Sequence, residues 1–168
     1  MIRNYLCHDI HTSLNVRWSK NGWQLSPCCF TGSLSTDTTN KKNWFNELWP
    51  ELRKDNINNR PLDAKICKAC IDDETVGKQS RRLGEIVKRG ETIKKIPAGP
   101  KYIEITMEST CNQACMICGP GASSLWRKYT DKTMQGNSPI ASDNDIEKLL
   151  ENIDLTQLDT LQILGGEP

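Results

Sequence analysis

Apolar and polar positions near the N-terminus are arranged as in two short β-strands. The strand candidates run from Ser13 to Trp18 and from Trp23 to Ser26. Asn21-Gly22 between them tolerates the positive φ angles of a tight hairpin turn. We therefore expect a hairpin that brings Pro27-Cys28-Cys29 to one end, facing the segment that carries Cys7.

A helical pattern follows between Asn43 and Asp55. Trp44, Leu48 and Leu52 occupy positions i, i+4 and i+8, and Pro50 interrupts or restarts this amphipathic pattern, because proline suits the first turn of a helix. The aromatic residues of the segment are most simply core residues, and these are Trp44, Phe45 and Trp49.

The next segment contains a turn, a cysteine pair and a second helix. Asn56 to Pro61 reads as a turn, and Cys67-x2-Cys70 as a small metal knuckle. A helix is expected from Ser80 to Lys88, ended by Gly90.

Beyond Gly99-Pro100 the order becomes strand, cysteine loop, helix, helix, strand, glycine loop. Strands that alternate with helices predict a parallel β/α arrangement, and Gly99-Pro100 is the best boundary between residues 1–98 and 99–168. The strands are Tyr102 to Met107 and Thr160 to Leu164. The helices are Ala122 to Thr130 and a segment with Ile146, Leu149, Leu150 and Ile153 at i, i+3, i+4 and i+7, capped by Ser142 or Asp143.

Composition describes a polar soluble chain. Its 168 residues are 36% hydrophobic, the mean hydropathy is −0.59, and no apolar run approaches the roughly 20 residues of a membrane span. The N-terminus lacks the apolar stretch of a signal peptide, so we expect a cytoplasmic protein with no membrane partner. Since 22 basic residues balance 21 acidic ones, no specific nucleic acid is expected, and the cluster Lys78, Arg81 and Arg82 is interpreted as a solvated helix face.

Eight cysteines in a chain without an export signal indicate metal ligands rather than disulfides. Three thiolates spaced C-x3-C-x2-C can hold three corners of a cubane iron–sulfur cluster and leave the fourth iron open. Glycines after a strand let the backbone approach a ligand closely, and their carbonyls can accept hydrogen bonds from an ammonium group. The cysteines are Cys7, Cys28, Cys29, Cys67, Cys70, Cys111, Cys115 and Cys118, and the glycines are Gly165 and Gly166.

Cys111-x3-Cys115-x2-Cys118 after one strand, and Gly165-Gly166-Glu167-Pro168 after the next, resemble the core of the radical S-adenosylmethionine (SAM) family. The resemblance implies that the three cysteines bind a [4Fe–4S] cluster whose open iron chelates SAM. An electron from a reductase such as flavodoxin or ferredoxin would then yield methionine and a 5′-deoxyadenosyl radical. It also implies that Gly165, Gly166 and Glu167 contact the SAM ammonium. Ile117 stands where the family often has an aromatic residue, and we expect it either to cover the adenine or to be a core isoleucine.

The N-terminal cysteines resemble the auxiliary-cluster module of the twitch or SPASM-like subgroup, together with Gly22, Glu74, Gly77, Ser80 and Arg81. This implies a second iron–sulfur cluster and a peptide or protein substrate. Its ligands would be Cys7, Cys28, Cys67 and Cys70, with Cys29 as the spare thiol, although the choice between Cys28 and Cys29 stays open. Four thiolates also suit tetrahedral zinc.

The resemblance implies an α/β fold, in which a small Cys-rich, metal-stabilised α+β module precedes the start of a partial (β/α) barrel. A complete eight-unit barrel takes about 250 residues, so we expect the isolated chain to bind clusters but to cleave little or no SAM. A non-catalytic iron–sulfur electron carrier and a zinc-stabilised binding module are the alternatives. A zinc site at Cys111, Cys115 and Cys118 would need a fourth ligand such as His8 or His11, which are interpreted as surface or hairpin residues.

Overall fold

The structure of the chain is a computed structural model. It describes residues 4–19, 21–31, 43–93, 95–107, 111, 113, 115–120, 123–130 and 141–165. The strands are β1 (Ser13–Ser19), β2 (Gly22–Ser26), β3 (Tyr102–Thr106) and β4 (Thr160–Leu164). The helices are α1 (His8–Thr12), α2 (Trp44–Glu47), α3 (Pro50–Ile57), α4 (Lys68–Thr75), α5 (Arg81–Arg89), α6 (Ser124–Tyr129) and α7 (Asp143–Glu151).

All four strands belong to one mixed sheet in the order β2-β1-β3-β4. β1 and β2 are antiparallel, whereas β3 lies parallel to both β1 and β4. Leu14 is paired with Ile103, and Ile103 in turn with Leu161. The α/β class and the parallel β3–β4 pair are confirmed. The sheet also crosses the expected boundary between residues 98 and 99, because β1 precedes it and β3 follows it.

The predicted N-terminal hairpin is present, with its turn one residue earlier than expected. Ser19 pairs with Gly22, so Gly22 belongs to β2 rather than to the turn. Gly22 has a φ of 92°, which explains why glycine is suited to the start of β2.

Several helices begin or end at the residues that the sequence predicts. Pro50 is the first residue of α3. Trp49 directly before it has a φ of 57°, and this left-handed conformation changes the direction of the chain between α2 and α3. Ser80 caps α5 by accepting the Leu83 N–H, and Gly90 ends that helix. The Ser142 cap of α7 forms a reciprocal capping box with Asp145. The turn expected from Asn56 begins later, because α3 continues through Ile57.

One face of the sheet packs against α2 and α7. Leu14, Val16, Leu25 and Ile103 are at most 1% exposed. They form one core with side chains of the two helices and of the segments beside them, namely Trp44, Phe45, Leu48, Leu149 and Ile153. Trp44 and Phe45 are thus core aromatics as predicted, and Trp49 packs against that core.

Two sequence-based expectations about polar residues are wrong. His8 and His11 are 5% and 0% exposed in α1, so they are neither surface nor hairpin residues. Arg82 is 2% exposed, so the basic cluster of α5 is not a uniformly solvated face. In both cases the burial depends on polar partners from distant segments, which a local pattern does not show.

The described segments contain no helix that is both long and apolar enough to cross a bilayer. β4 forms one edge of the sheet, and all five of its residues are exposed. Its apolar side chains Leu161 and Ile163 are about half exposed.

Candidate metal centres

The two groups of cysteines lie at opposite ends of the strands of the sheet. Cys7 precedes α1 and the start of β1, and Cys28 follows the antiparallel β2, so both lie near the amino end of β1. Cys111 instead follows the carboxyl end of β3. The two groups therefore belong to segments at opposite ends of the strands.

Four N-terminal cysteines line a single cavity. Cys7 and Cys28 are each 8% exposed, and Cys67 and Cys70 are partly buried at the start of α4. The remaining wall is apolar except for one threonine and one arginine, and consists of Ile10, Phe30, Thr31, Leu62, Ile66 and Arg82. The structure therefore brings together the same four cysteines that the sequence assigned to a second centre.

Buried side chains from distant segments fix the backbone around Cys7. Its N–H donates to Asn56 Oδ1 at 3.0 Å, and Asn56 Nδ2 donates to the Tyr5 carbonyl at 2.9 Å. His11 Nε2 contacts the same Asn56 oxygen at 3.1 Å. Asn56 is therefore a positioning residue that the sequence analysis missed, because no local pattern distinguishes it from other asparagines.

The neighbours Cys28 and Cys29 have different environments. Cys28 Sγ accepts the Phe30 N–H at 3.4 Å and lies 3.8 Å from Asp9 Oδ2. Cys29 is exposed and lines a separate cavity, beside Asn15, Arg17 and Gln24. The geometry thus favours Cys28 over Cys29 as a member of the four-cysteine group.

Burial keeps the thiols of Cys7, Cys28 and Cys67 protonated in the metal-free chain. The pKa of Cys7 is raised to about 12 and that of Cys67 to about 11, chiefly by burial and in smaller part by the nearby Cys70. The pKa of Cys28 is raised as well, mainly by burial. A bound metal cation would supply the charge that permits ionisation, so metal binding at this site would release protons.

The donor set suits a thiolate-bound metal, although its present spacing is not that of a loaded site. In the part of the chain that the structure describes, no three His, Cys, Asp or Glu side chains converge as they would on a single ion. The cavity among the four cysteines has a free volume of about 20 Å³, roughly the space of one water molecule.

The start of α6 fixes the loop that carries the other three cysteines. Ser124 Oγ accepts the Cys111 N–H and donates to the Cys111 carbonyl, both at 2.9 Å. Ser123 Oγ donates to the Gln113 carbonyl at 2.7 Å, and the Trp126 indole N–H donates to the Cys115 carbonyl at 2.8 Å. Cys118 N–H closes a turn on the Cys115 carbonyl at 3.0 Å. These contacts fasten the described residues of the loop to the start of α6.

The side chains of this loop face solvent. Met116 and Ile117 are each 97% exposed, so the alternative in which Ile117 is a core residue is wrong. Cys115 is exposed, and Cys111 and Cys118 are partly so. The loop is therefore accessible to a cofactor and to a small molecule bound beside it.

The glycine loop begins at the same end of the parallel strands as the Cys111 loop. Gly165 directly follows β4 with a φ of 133°, a backbone conformation that favours glycine. β3 and β4 are parallel neighbours, so the Cys111 loop and Gly165 both follow carboxyl ends of adjacent strands. The other expected SAM contacts, Gly166 and Glu167, lie outside the described residues.

A polar network crosses the sheet face opposite the core. Asn15 donates to Glu104 Oε1, and the Tyr102 hydroxyl donates to Glu104 Oε2 at 3.3 Å. Tyr102 also bonds to Gln162 of β4. The sequence analysis did not single out these residues, although their alternation with apolar neighbours on β1, β3 and β4 is a period-two signal.

No family model, curated protein or solved structure matches the chain. What the two cysteine groups can bind therefore follows from their own donor chemistry and from their placement on the sheet.

Proposed function

We propose that the chain is a radical SAM enzyme, or the N-terminal part of one, with a second metal centre in its N-terminal module. One observation carries the proposal. A C-x3-C-x2-C loop and a glycine loop follow the carboxyl ends of adjacent parallel strands, β3 and β4. Ligands bind preferentially at the carboxyl ends of parallel strands, where loops from neighbouring strands converge.

In this proposal Cys111, Cys115 and Cys118 bind a [4Fe–4S] cluster with one open iron. When bound and reduced, that cluster would supply the electron for reductive cleavage of SAM into methionine and a 5′-deoxyadenosyl radical. The chain positions the cysteine loop through the two serine hydroxyls and the Trp126 indole of α6.

The contacts to SAM are assigned from the loops at the same edge of the sheet. The carbonyls of Gly165 and Gly166 would accept hydrogen bonds from the SAM ammonium, and Glu167 would help to neutralise its charge. Ile117, which is exposed, would cover the adenine. The exposure of Ile117 supports this contact, because its side chain is not committed to the protein core.

Cys7, Cys28, Cys67 and Cys70 bind the second centre, which we propose to be an iron–sulfur cluster. Their common cavity supports a shared ligand, and the adjoining C-x3-C-x2-C motif favours an iron–sulfur cluster over zinc. Four cysteine ligands leave no iron open, so this cluster would transfer electrons rather than bind substrate.

The chemistry requires partners beyond the chain. A one-electron donor such as flavodoxin or ferredoxin would reduce the cluster. The polar face with Glu104, Tyr102 and Gln162 suits a polar substrate such as a peptide. We propose the cytoplasm as its location, where thiols remain reduced and available to metals.

Anaerobic reconstitution followed by analysis of iron, sulfide and zinc tests the metal assignment. We expect a brown protein with roughly eight irons per chain, as two cubane clusters require. A variant with Cys111, Cys115 and Cys118 all replaced by Ala is expected to retain about half of the iron, whereas Cys29→Ala is the matched control and should retain all of it. A colourless protein that binds only zinc would contradict the proposal.

Electron paramagnetic resonance of the dithionite-reduced protein tests SAM binding. Addition of SAM should shift the signal of the Cys111 cluster, because chelation changes the coordination of its open iron. The triple Ala variant should show no such shift. An unchanged wild-type signal would favour a non-catalytic electron carrier instead.

A further inference from the structure

Arg82 is a fully buried cation at the wall of the four-cysteine cavity. It lies at the second position of α5, and its side chain is 2% exposed. Nε and Nη2 donate to the two oxygens of Glu74 at 2.9 and 2.6 Å. Glu74 is itself 6% exposed and does not line the cavity. Arg82 therefore places the buried pair directly behind one wall of the four-cysteine cavity.

The same guanidinium connects the segments that carry three of these cysteines. Nη1 donates to the carbonyls of Asn4 and Leu6 at 2.8 and 3.0 Å, immediately before Cys7. Glu74 belongs to α4, which begins after Cys67 and contains Cys70. A single side chain thus sets the distance between the Cys7 segment and the Cys67–Cys70 pair.

The turn between α4 and α5 sets the position of this pair. Gly77, with a φ of 76°, provides the change of direction after α4. Ser80 caps α5 and donates from its hydroxyl to Glu74 Oε1 at 2.6 Å. The Glu74 carboxylate is therefore held by both Ser80 and Arg82.

The charge of a loaded site makes this cation significant. A doubly charged zinc ion or cubane core bound by four thiolates carries about two net negative charges. A buried charge of that size is costly unless neighbouring groups compensate it. Among the described residues four of the five N–H groups of Arg82 donate to Glu74, Asn4 and Leu6, so the guanidinium and its charge are held in place behind the cavity wall.

We propose that Arg82 is a positioning and charge-balancing residue of the four-cysteine centre, with its guanidinium tying the Cys7 segment to α4 and its buried charge compensating part of the negative charge of the bound centre. This role rests on the proposal that Cys7, Cys28, Cys67 and Cys70 bind a metal. It applies whether the metal is iron or zinc.

The test measures the four-cysteine centre alone, in the full chain with Cys111, Cys115 and Cys118 replaced by Ala. Arg82→Met, Arg82→Lys and Glu74→Gln are compared with Asp72→Asn. The last is a matched control, because Asp72 is also a carboxylate of α4 but forms an exposed ion pair with Lys68. Metal per chain and the rate of metal removal by a chelator are measured, and circular dichroism of the metal-free proteins reports folding.

We expect Arg82→Met to bind less than half of the parent's metal, or to lose it several-fold faster, with Arg82→Lys intermediate and Asp72→Asn unchanged. If the metal is a cluster, its reduction potential provides a second readout. Glu74→Gln leaves the guanidinium charge uncompensated, so the reduction potential should shift upward. Arg82→Lys keeps a positive charge but loses the planar, forked donor geometry of the guanidinium, so this upward shift should not appear.

Two results together would overturn the role of Arg82. The first is a folded Arg82→Lys variant whose metal content, chelation rate and reduction potential equal those of the parent. The second is a Glu74→Gln variant whose reduction potential or metal release is unchanged. A parent chain that binds no metal through the four cysteines would instead contradict the second centre itself, and this role with it. The parent measurement distinguishes the two failures.

Discussion

At the scale of single residues, two adjacent cysteines show how position determines chemistry. Cys28 lies against Asp9 and the four-cysteine cavity, whereas Cys29 is exposed beside a different cavity. The hairpin geometry produces this difference, because consecutive residues after a strand end point in different directions. The spacing of cysteines along the chain did not distinguish them.

We predict that Cys28→Ser removes most of the metal bound at the N-terminal centre, while Cys29→Ser leaves it unchanged. The reason is that only Cys28 shares the cavity with Cys7, Cys67 and Cys70. Metal per chain after reconstitution is the measurement. The opposite result, with loss only in Cys29→Ser, would show that the ligand is the neighbouring thiol.

His11 gives the stability of the chain a pH dependence. Its side chain is fully buried, Nε2 contacts Asn56, and Nδ1 has no partner among the described residues. Burial lowers the pKa of His11 below its usual 6.5, only partly opposed by the Asn56 contact. The unfolded chain therefore binds a proton more readily than the folded one.

The contribution of neutral His11 to the free energy of unfolding should be fully present above about pH 6.5. It should decrease as the pH falls below that value, by at most about 1.4 kcal/mol per pH unit. Urea unfolding of the metal-free protein at pH 7 and pH 5 measures this change in the free energy of unfolding. His11→Gln, whose amide can still donate to Asn56, should show a weaker dependence. Equal slopes for the two proteins would exclude His11 as the source.

At the scale of helices and strands, the close approach of two loops requires a glycine before β3. A Cβ built on Gly99 would lie 2.3 Å from the backbone carbonyl oxygen of Asp154, in the segment between α7 and β4. No backbone φ restriction is involved, so the requirement is purely one of space. Gly84, inside α5, has nothing within 4 Å of such a Cβ.

Gly99→Ala should destabilise the chain by about 1–3 kcal/mol, because the backbone must shift to remove the clash. Gly84→Ala is the matched control and should stabilise it by up to about 1 kcal/mol through helix propensity. Urea unfolding of both metal-free variants gives the two values. A neutral Gly99→Ala would mean that the two segments separate without cost.

Elements with local signals were predictable from the sequence, and those that depend on distant partners were not. The caps Ser80 and Ser142 and the start at Pro50 identified helix ends directly. α1 was missed, because its five residues are mostly polar and are buried through contacts with α3, α5 and β1. The pairing of β1 with β3 and the burial of Arg82 likewise depend on partners about 80 residues away.

At the scale of the whole molecule, one sheet separates two sets of thiols. Different elements position them, with α6 at the Cys111 loop and α1, α3, α4 and α5 around the N-terminal cavity. The sheet between them shares its core with α2 and α7, so neither centre is part of that core's packing. We therefore expect each centre to form without the other.

Separate loading is tested with two complementary variants. Cys67→Ala combined with Cys70→Ala should abolish metal at the N-terminal centre but keep the Cys111 cluster and its response to SAM, because the α6 contacts remain. Replacement of Cys111, Cys115 and Cys118 by Ala should do the reverse. Iron content and electron paramagnetic resonance of each reduced protein are measured. If either variant lost both centres while its circular dichroism stayed native, metal binding at the two centres would have to be coupled through β1 and β3.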